Sequence, residues 1–338
     1  MRWRQLEETI KTQCKRSRKS NMYTQALLDY CENLYDQDLP IITTPYHLSQ
    51  LIGIEFSYLC KMAYSPVSFY RSFQISKKNG KSREIDEPLP DLKFVQRWIL
   101  TNILEKVHLS IYAKAYVKGV TLRHNARFHQ NKDVVVTMDI KDFFPSISIG
   151  SIVTIFEKIG YLHDVSCFLA YLCCLDGKLP QGAPTSPYLS NLRMKSLDER
   201  IGNYVYHKGI MFTRYADDLT FSGSMNPHEL IKKISHYVWE DGFSLNASKT
   251  RVARRNTRQE VTGIVVNSRM QISRTKRKYI RQQMYYIDKY GIESHLQWIK
   301  ESRSHYINHL IGLVNFALFV NPRDQEMQKY YKRLVDML

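Results

Sequence analysis

At 338 residues with 43% apolar side chains, the chain is long enough for two or three compact units and too apolar to be disordered. Lysine and arginine outnumber aspartate and glutamate 49 to 32, and the resulting charge of +17 attracts polyanions, nucleic acid first among them. No apolar run approaches the roughly 20 residues that span a bilayer, and the basic start lacks the apolar stretch of a secretion signal. The expectation is a cytoplasmic protein with no membrane partner. Cys14, Cys31, Cys60, Cys167, Cys173 and Cys174 show no CxxC spacing and read as the thiols of a reducing compartment.

Residues 22–35 have helical spacing, as do residues 43–62, which open on a Thr-Pro helix start. The second run reads as a pair of core helices, with a helix-turn-helix as the alternative. Alternation at Phe73 and Ile75, a turn, and a second run give a basic-tipped hairpin over 69–88. Leu92, Val95, Ile99 and Ile103 line one side of a helix over 91–107. "DVVVTMDI" (133–140) is a buried strand that ends at Asp139. Residues 148–161 return to helical spacing, and 179–201 open as a Gly/Pro loop that becomes a helix. "FTRYADDLTFSG" (212–223) is a hairpin that displays Asp217 and Asp218 at its tip. A helix over 227–242, short strands over 259–273 and a mostly helical C-terminal segment follow. Residues 251–281 carry ten Lys/Arg against one acid, Glu260. The pattern is an α+β core with a helical appendage.

A strand ending in one aspartate and a hairpin displaying two more suit phosphate chemistry. Three carboxylates brought together are unstable unless a cation neutralises them or they take up protons. Hard oxygen ligands alongside substrate phosphates suit Mg²⁺. Two such ions, about 3.5–4 Å apart, activate an attacking hydroxyl and stabilise a leaving phosphate oxygen. Taken alone, Asp217-Asp218 also reads as a polar turn.

The surrounding stretches decide between these. "YADD" (215–218) resembles the catalytic box of reverse transcriptases, and four other blocks of that family accompany it in order. "FQISKKNGKSREIDEP" resembles the fingers block, "VTMDIKDFFPSIS" the strand with the first metal-binding aspartate, "LPQGAPTSPYLSNL" the Gln-Gly block, and "GFSLNASKT" the lysine block. "HNARFH" (124–129) contains Asn-Ala-x-x-His, "VTG" spans 261–263, and the box reads "RYADD". In these the chain is similar to bacterial retron reverse transcriptases. The resemblance implies an α+β right-hand polymerase fold: fingers, a palm with an antiparallel sheet, and a helical thumb. The division it implies is an N-terminal helical region over 1–66, fingers over 67–133, palm over 134–263 and an RNA-binding thumb over 264–338.

The resemblance also implies roles. Asp139, Asp217 and Asp218 would be the catalytic carboxylates, holding two Mg²⁺ ions with the carbonyl of Ile140. Phe144 would exclude a 2′-hydroxyl from the incoming dNTP, Phe143 being core. Gln181 and Gly182 would floor the nucleotide site, glycine permitting close backbone approach. Lys81, Arg83 and Lys249 would meet the triphosphate. Asn125, His129, Val261, Thr262 and Gly263 would help recognise RNA, with a buried structural role for His129 as the alternative. Arg274, Lys276, Arg277 and Lys278 would grip RNA phosphates, while Tyr279, Tyr285, Tyr286 and Trp298 stack on bases or pack helices.

The implied activity is RNA-directed DNA synthesis on a cognate msr-msd noncoding RNA, primed from the 2′-hydroxyl of an internal guanosine. The product would be branched msDNA, an RNA–DNA hybrid, made for antiphage defence with a separate effector protein. The alternatives are another bacterial reverse transcriptase (intron-like, diversity-generating or abortive-infection) and an RNA-binding scaffold.

Overall fold

The computed structural model describes residues 3–76, 80, 82–300 and 305–338. Lys81, predicted to meet the triphosphate, lies outside the described residues. The chain divides into two compact units, Met1–Ile111 with Lys141–Glu199, and Tyr112–Ile140 with Arg200–Leu338. The loop-to-helix prediction over 179–201 corresponds to helix Ser186–Tyr206. Among the described residues no helix is long and apolar enough to cross a membrane.

In the first unit the predicted run 43–62 is two helices, Pro45–Ile52 and Phe56–Tyr64. Thr44 caps the first, its hydroxyl accepting from the His47 N–H while Pro45 takes the first turn. Gly53, at φ +75°, ends that helix. Glu55 starts the next, its carboxylate accepting from the Ser57 and Tyr58 N–H groups. Both helices pack on His163–Cys173, as a pair of core helices does. That third helix has no counterpart in the sequence reading. It buries Val165, Phe168, Leu169, Ala170, Leu172 and Cys173, and a helix apolar nearly all round has no stripe to detect. Strands β1 (Tyr70–Ser76) and β2 (Ser82–Pro88) pair antiparallel, with Phe73 opposite Ile85 and Ile75 opposite Arg83.

The second unit is built on an antiparallel sheet of four strands: β3 (Val134–Asp139), β4 (Met211–Tyr215), β5 (Asp218–Gly223) and β6 (Arg251–Arg254). Their order is β4-β5-β3-β6. The run Val134-Val135-Val136 is buried on both faces, as a central strand requires. Strand alternation sorts the neighbouring strands. Phe212 stacks on Phe221 at 4.9 Å on one face, while Thr213, Thr220, Ser222, Asp218 and Asp139 share the other. The basic stretch 251–281 is not one element: its first residues, Arg251–Arg254, are β6, paired with β3. Four residues with no buried side chain, Val252 itself being 45% exposed, are too little to announce that strand. Next, β7 (Glu260–Val261) and β8 (Ile264–Val265) form a minimal hairpin. Helices Arg274–Tyr290, Ile292–Ile299, Tyr306–Val320 and Gln325–Val335 complete the unit, around a core that includes Val261, Ile280, Leu310, Val314 and Met327.

Candidate active site

The hairpin β4–β5 turns on Ala216 and Asp217. Its register sets Tyr215 opposite Asp218, and β3 sets Asp139 opposite the same Asp218. Ala216 sits at φ +58°, a left-handed conformation that costs a non-glycine residue about 1–2 kcal/mol. The Arg214 guanidinium, wholly buried, donates from Nη1 to the Ala216 carbonyl at 3.1 Å. Two backbone bonds fix the rest: Ile140 N–H to the Asp217 carbonyl at 2.9 Å, and Asn246 N–H to the Asp139 carbonyl at 2.8 Å. Asp139, Ile140, Asp217 and Asp218 are thus brought together by backbone bonds.

Lys249 joins them, in the 3₁₀ turn Ala247–Lys249. Its ammonium donates to both Asp139 carboxylate oxygens, at 2.8 and 2.7 Å. That bond raises the Lys249 pKa, with Asp217 and Asp218 adding to it. Burial, then the negative charges of Asp217 and Asp139, push the Asp218 carboxyl up to about 6. The three carboxylates offer all-oxygen donors, which suit a hard divalent cation. Among the described residues no three His, Cys, Asp or Glu side chains are gathered into a metal-holding cluster. Repelling carboxylates with Lys249 on one of them have no cause to close up.

The other predicted nucleotide contacts lie in the first unit. Arg83 and Gln181 line a cavity of about 480 Å³ with Tyr70, Ser72, Asp86 and Asp142. The Asp86 N–H donates to the Gln181 carbonyl at 2.8 Å. Gly182, at φ +140°, brings its backbone so close that a Cβ there would stand 2.5 Å from the Asp86 carbonyl oxygen, so glycine is required. Phe143 is buried, as a core ring is, and Phe144 is half-buried.

Asn125 and His129 are fully buried, so neither offers an edge to RNA; for His129 the buried alternative is the one observed. His129 bonds Thr213 and Ser222, and burial holds its imidazole pKa down at about 3. Val261 is likewise buried, leaving Thr262 and Gly263 as the partly exposed turn of the β7–β8 hairpin. Arg277 also departs from expectation. Its guanidinium is committed to Asp324 at 2.5 and 2.8 Å and to Glu326 at 2.6 and 3.0 Å, so it locks helices rather than facing RNA. Arg274, Lys276 and Lys278 are exposed. Tyr279, Tyr285 and Trp298 keep 38–68% exposure, and Tyr286 packs against Tyr285 and Trp298. The sequence reading missed Arg214, Thr213, Ser222 and Asn246. An arginine in phase with Phe212, on the apolar face of β4, is the signal that marks Arg214.

A family profile described as reverse transcriptase (RNA-dependent DNA polymerase) matches residues 75–286. The retron Ec86 reverse transcriptase of Escherichia coli is 30% identical over 303 residues, covering 88% of this chain and 89% of that protein. The retron Mx65 reverse transcriptase of Myxococcus xanthus is 30% identical across 96% of this chain and 79% of its own. Telomerase from Candida albicans aligns with a TM-score of 0.50 over 86% of this chain and 66% of that one, at 10% identity, a likeness of fold alone. The fold is the α+β right-hand polymerase, and the family uses a divalent metal and deoxynucleoside triphosphates. With a family match over more than half its length and retron relatives matched nearly end to end, the chain belongs to the bacterial retron reverse transcriptases and is an RNA-directed DNA polymerase.

Proposed function

We propose that this polymerase works with two Mg²⁺ ions held by Asp139, Asp217, Asp218 and the Ile140 carbonyl. The observation that carries the reading is the pairing of Asp139 with Asp218 across β3 and β5, with Asp217 beside them in the hairpin turn. When bound, the ions supply activation of the attacking hydroxyl and stabilisation of the leaving pyrophosphate oxygen. The chain's own groups do the rest. The buried β3 fixes Asp139, and the Arg214–Ala216 bond holds the turn that presents Asp217. Lys249, more than half exposed on its outer side, neutralises Asp139 and offers charge to the triphosphate. Arg83 and Lys81 meet the phosphates, Gln181 and Gly182 floor the nucleotide, and the Phe144 ring excludes a 2′-hydroxyl.

The template in this reading is a structured msr-msd noncoding RNA encoded beside the gene. Synthesis starts from the 2′-hydroxyl of an internal guanosine and leaves branched msDNA. Arg274, Lys276 and Lys278 bind RNA phosphates, and Thr262-Gly263 contacts the RNA surface. The complex serves antiphage defence with a separate effector protein. The test is to express the chain with its flanking noncoding RNA and isolate the nucleic acid that accompanies it. A branched 2′,5′-linked RNA–DNA product, lost in Asp217→Asn, is expected; a linear or untemplated product rejects the 2′ start.

A further inference from the structure

The two retron-like stretches whose chemistry could not be read from spacing, Asn-Ala-x-x-His and Val-Thr-Gly, meet at one buried chain of hydrogen bonds. Valence fixes its direction. Thr213 Oγ1 donates its only proton to Asn125 Oδ1 at 2.7 Å. At 2.7 Å from His129 Nε2, the same oxygen must therefore accept. Nε2 carries the imidazole proton, Nδ1 is bare, and Ser222 Oγ donates to it at 2.8 Å. Asn125 Nδ2 continues the chain to Thr262 Oγ1 at 3.5 Å, the longest link. Asn125, His129, Thr213 and Ser222 are each at most 1% exposed, so no water competes for these bonds and each unmade one leaves a buried polar atom unsatisfied.

The imidazole bonds one residue on each strand of the catalytic hairpin. Thr213 pairs with Thr220, and Ser222 pairs with Met211, so His129 bridges the strands on a diagonal. Thr213 lies four residues before Asp217 and Ser222 four residues after Asp218. Both hydroxyls share the sheet face of Asp218 and Asp139. A one-residue slip of either strand would send its hydroxyl to the opposite face. At the outer end, Thr262 sits at φ +46° beside Gly263 at +82°. Those angles are what a two-residue hairpin turn demands, and a β-branched residue adopts them only under constraint.

We propose that Asn125 and His129 are positioning residues for polymerisation: they lock β4 and β5 in the register that brings Asp217 and Asp218 against Asp139. The proposal rests on the reading of those aspartates as the catalytic set. The Asn-Ala-x-x-His stretch supplies the clamp, and Thr262 is its outer anchor. A misplacement of about 1 Å at the reacting centre costs on the order of a hundredfold; losing one of several restraints costs less.

The test uses the full chain with a synthetic RNA template annealed to a DNA primer. Thr213→Val and Ser222→Ala delete one hydroxyl each, and Thr213→Ser restores one. Expected is a fall in kcat per active molecule of about tenfold for the deletions, with KM for dNTP within twofold and Thr213→Ser near wild type. A merely structural network would lower the melting temperature and leave kcat per active molecule unchanged, and that result overturns the proposal. Should both deletions fail to fold, the imidazole ¹⁵N shifts of His129 in the wild-type protein decide: a neutral Nε2–H tautomer is expected, and an Nδ1–H tautomer overturns the assignment. Asp217→Asn is run beside them. If it polymerises normally, the reading of the aspartates has failed, whatever the hydroxyl variants do.

Discussion

The sheet that carries the aspartates and the helices from Arg274 to Val335 belong to one compact unit, yet they handle charge in opposite ways. In the sheet like charges are gathered: Lys249 bonds Asp139, and burial with the negative charges of Asp217 and Asp139 lifts Asp218 to about 6. In the helices the charges are matched: Arg277 with Asp324 and Glu326, Arg281 with Glu326, Arg333 with Asp288. Matched pairs close on each other and tie helix to helix, which is scaffolding. Like charge gathered in one place suits a ligand instead: in the reading proposed above, a cation at the aspartates and phosphates at Lys276 and Lys278. Being charged therefore says little about function; being gathered with like charge says more.

The contrast is broken most directly at the aspartates. Asp217→Asn removes charge but not shape, so polymerase activity should fall by about three orders of magnitude or more while the melting temperature holds or rises slightly as repulsion is relieved. Steady-state extension and thermal unfolding of the same preparation check both halves; a variant with near-normal rate would show that the Asp217 carboxylate has no catalytic use. Next in size is His129→Leu. It removes the partner of Ser222 and one of the two partners of Thr213, and should cost about 2–3 kcal/mol in urea unfolding.

The difference between the regions also explains what the sequence could disclose. The five ordered blocks point to Asp139, Asp217, Asp218, Gln181 and Gly182 because the implied chemistry calls for those residue types, and the β-branched run before Asp139 announces its buried strand. The Gly182 requirement follows the same logic, since a Cβ there would clash with the Asp86 carbonyl oxygen. His129 was legible as a signature but not as a clamp. Its partners Thr213 and Ser222 are 84 and 93 residues away, and a hydroxyl on a strand carries no local sign of what it bonds. Arg277 was misread for a related reason. In sequence it is one of a cluster with Arg274, Lys276 and Lys278, and only the return of helix Gln325–Val335 brings Asp324 and Glu326 to it.

That misreading gives the third prediction. Lys276→Gln with Lys278→Gln should weaken RNA binding a few-fold and lower the slope of log affinity against log salt by about one or two. Arg277→Gln should leave the slope unchanged and lower stability, because it strands Asp324, which is only 8% exposed. Binding to one RNA at several salt concentrations separates them. If Arg277→Gln takes the slope down with it, the matched pairs are not scaffolding.

The smallest effect is a pH dependence. Bonds from Arg281, then Arg277, hold Glu326 down at about 2, against an ordinary 4.5. A carboxylate whose folded pKa is depressed binds protons more readily when unfolded. Its contribution to stability is therefore complete above about 4.5, declines as the pH falls, and is gone below about 2. Acid unfolding of the wild type reports every such carboxylate at once, so the useful quantity is the difference from Glu326→Gln. Above pH 5 the wild type should be the more stable by a constant margin, and that margin should shrink steadily between pH 4.5 and the lowest pH at which the fold survives. Because Glu326 is partly exposed, added salt should narrow the margin as well. A difference that stays flat through that window would mean the arginines bond Glu326 without favouring its charged form, and the helical end would lose its best example of matched charge.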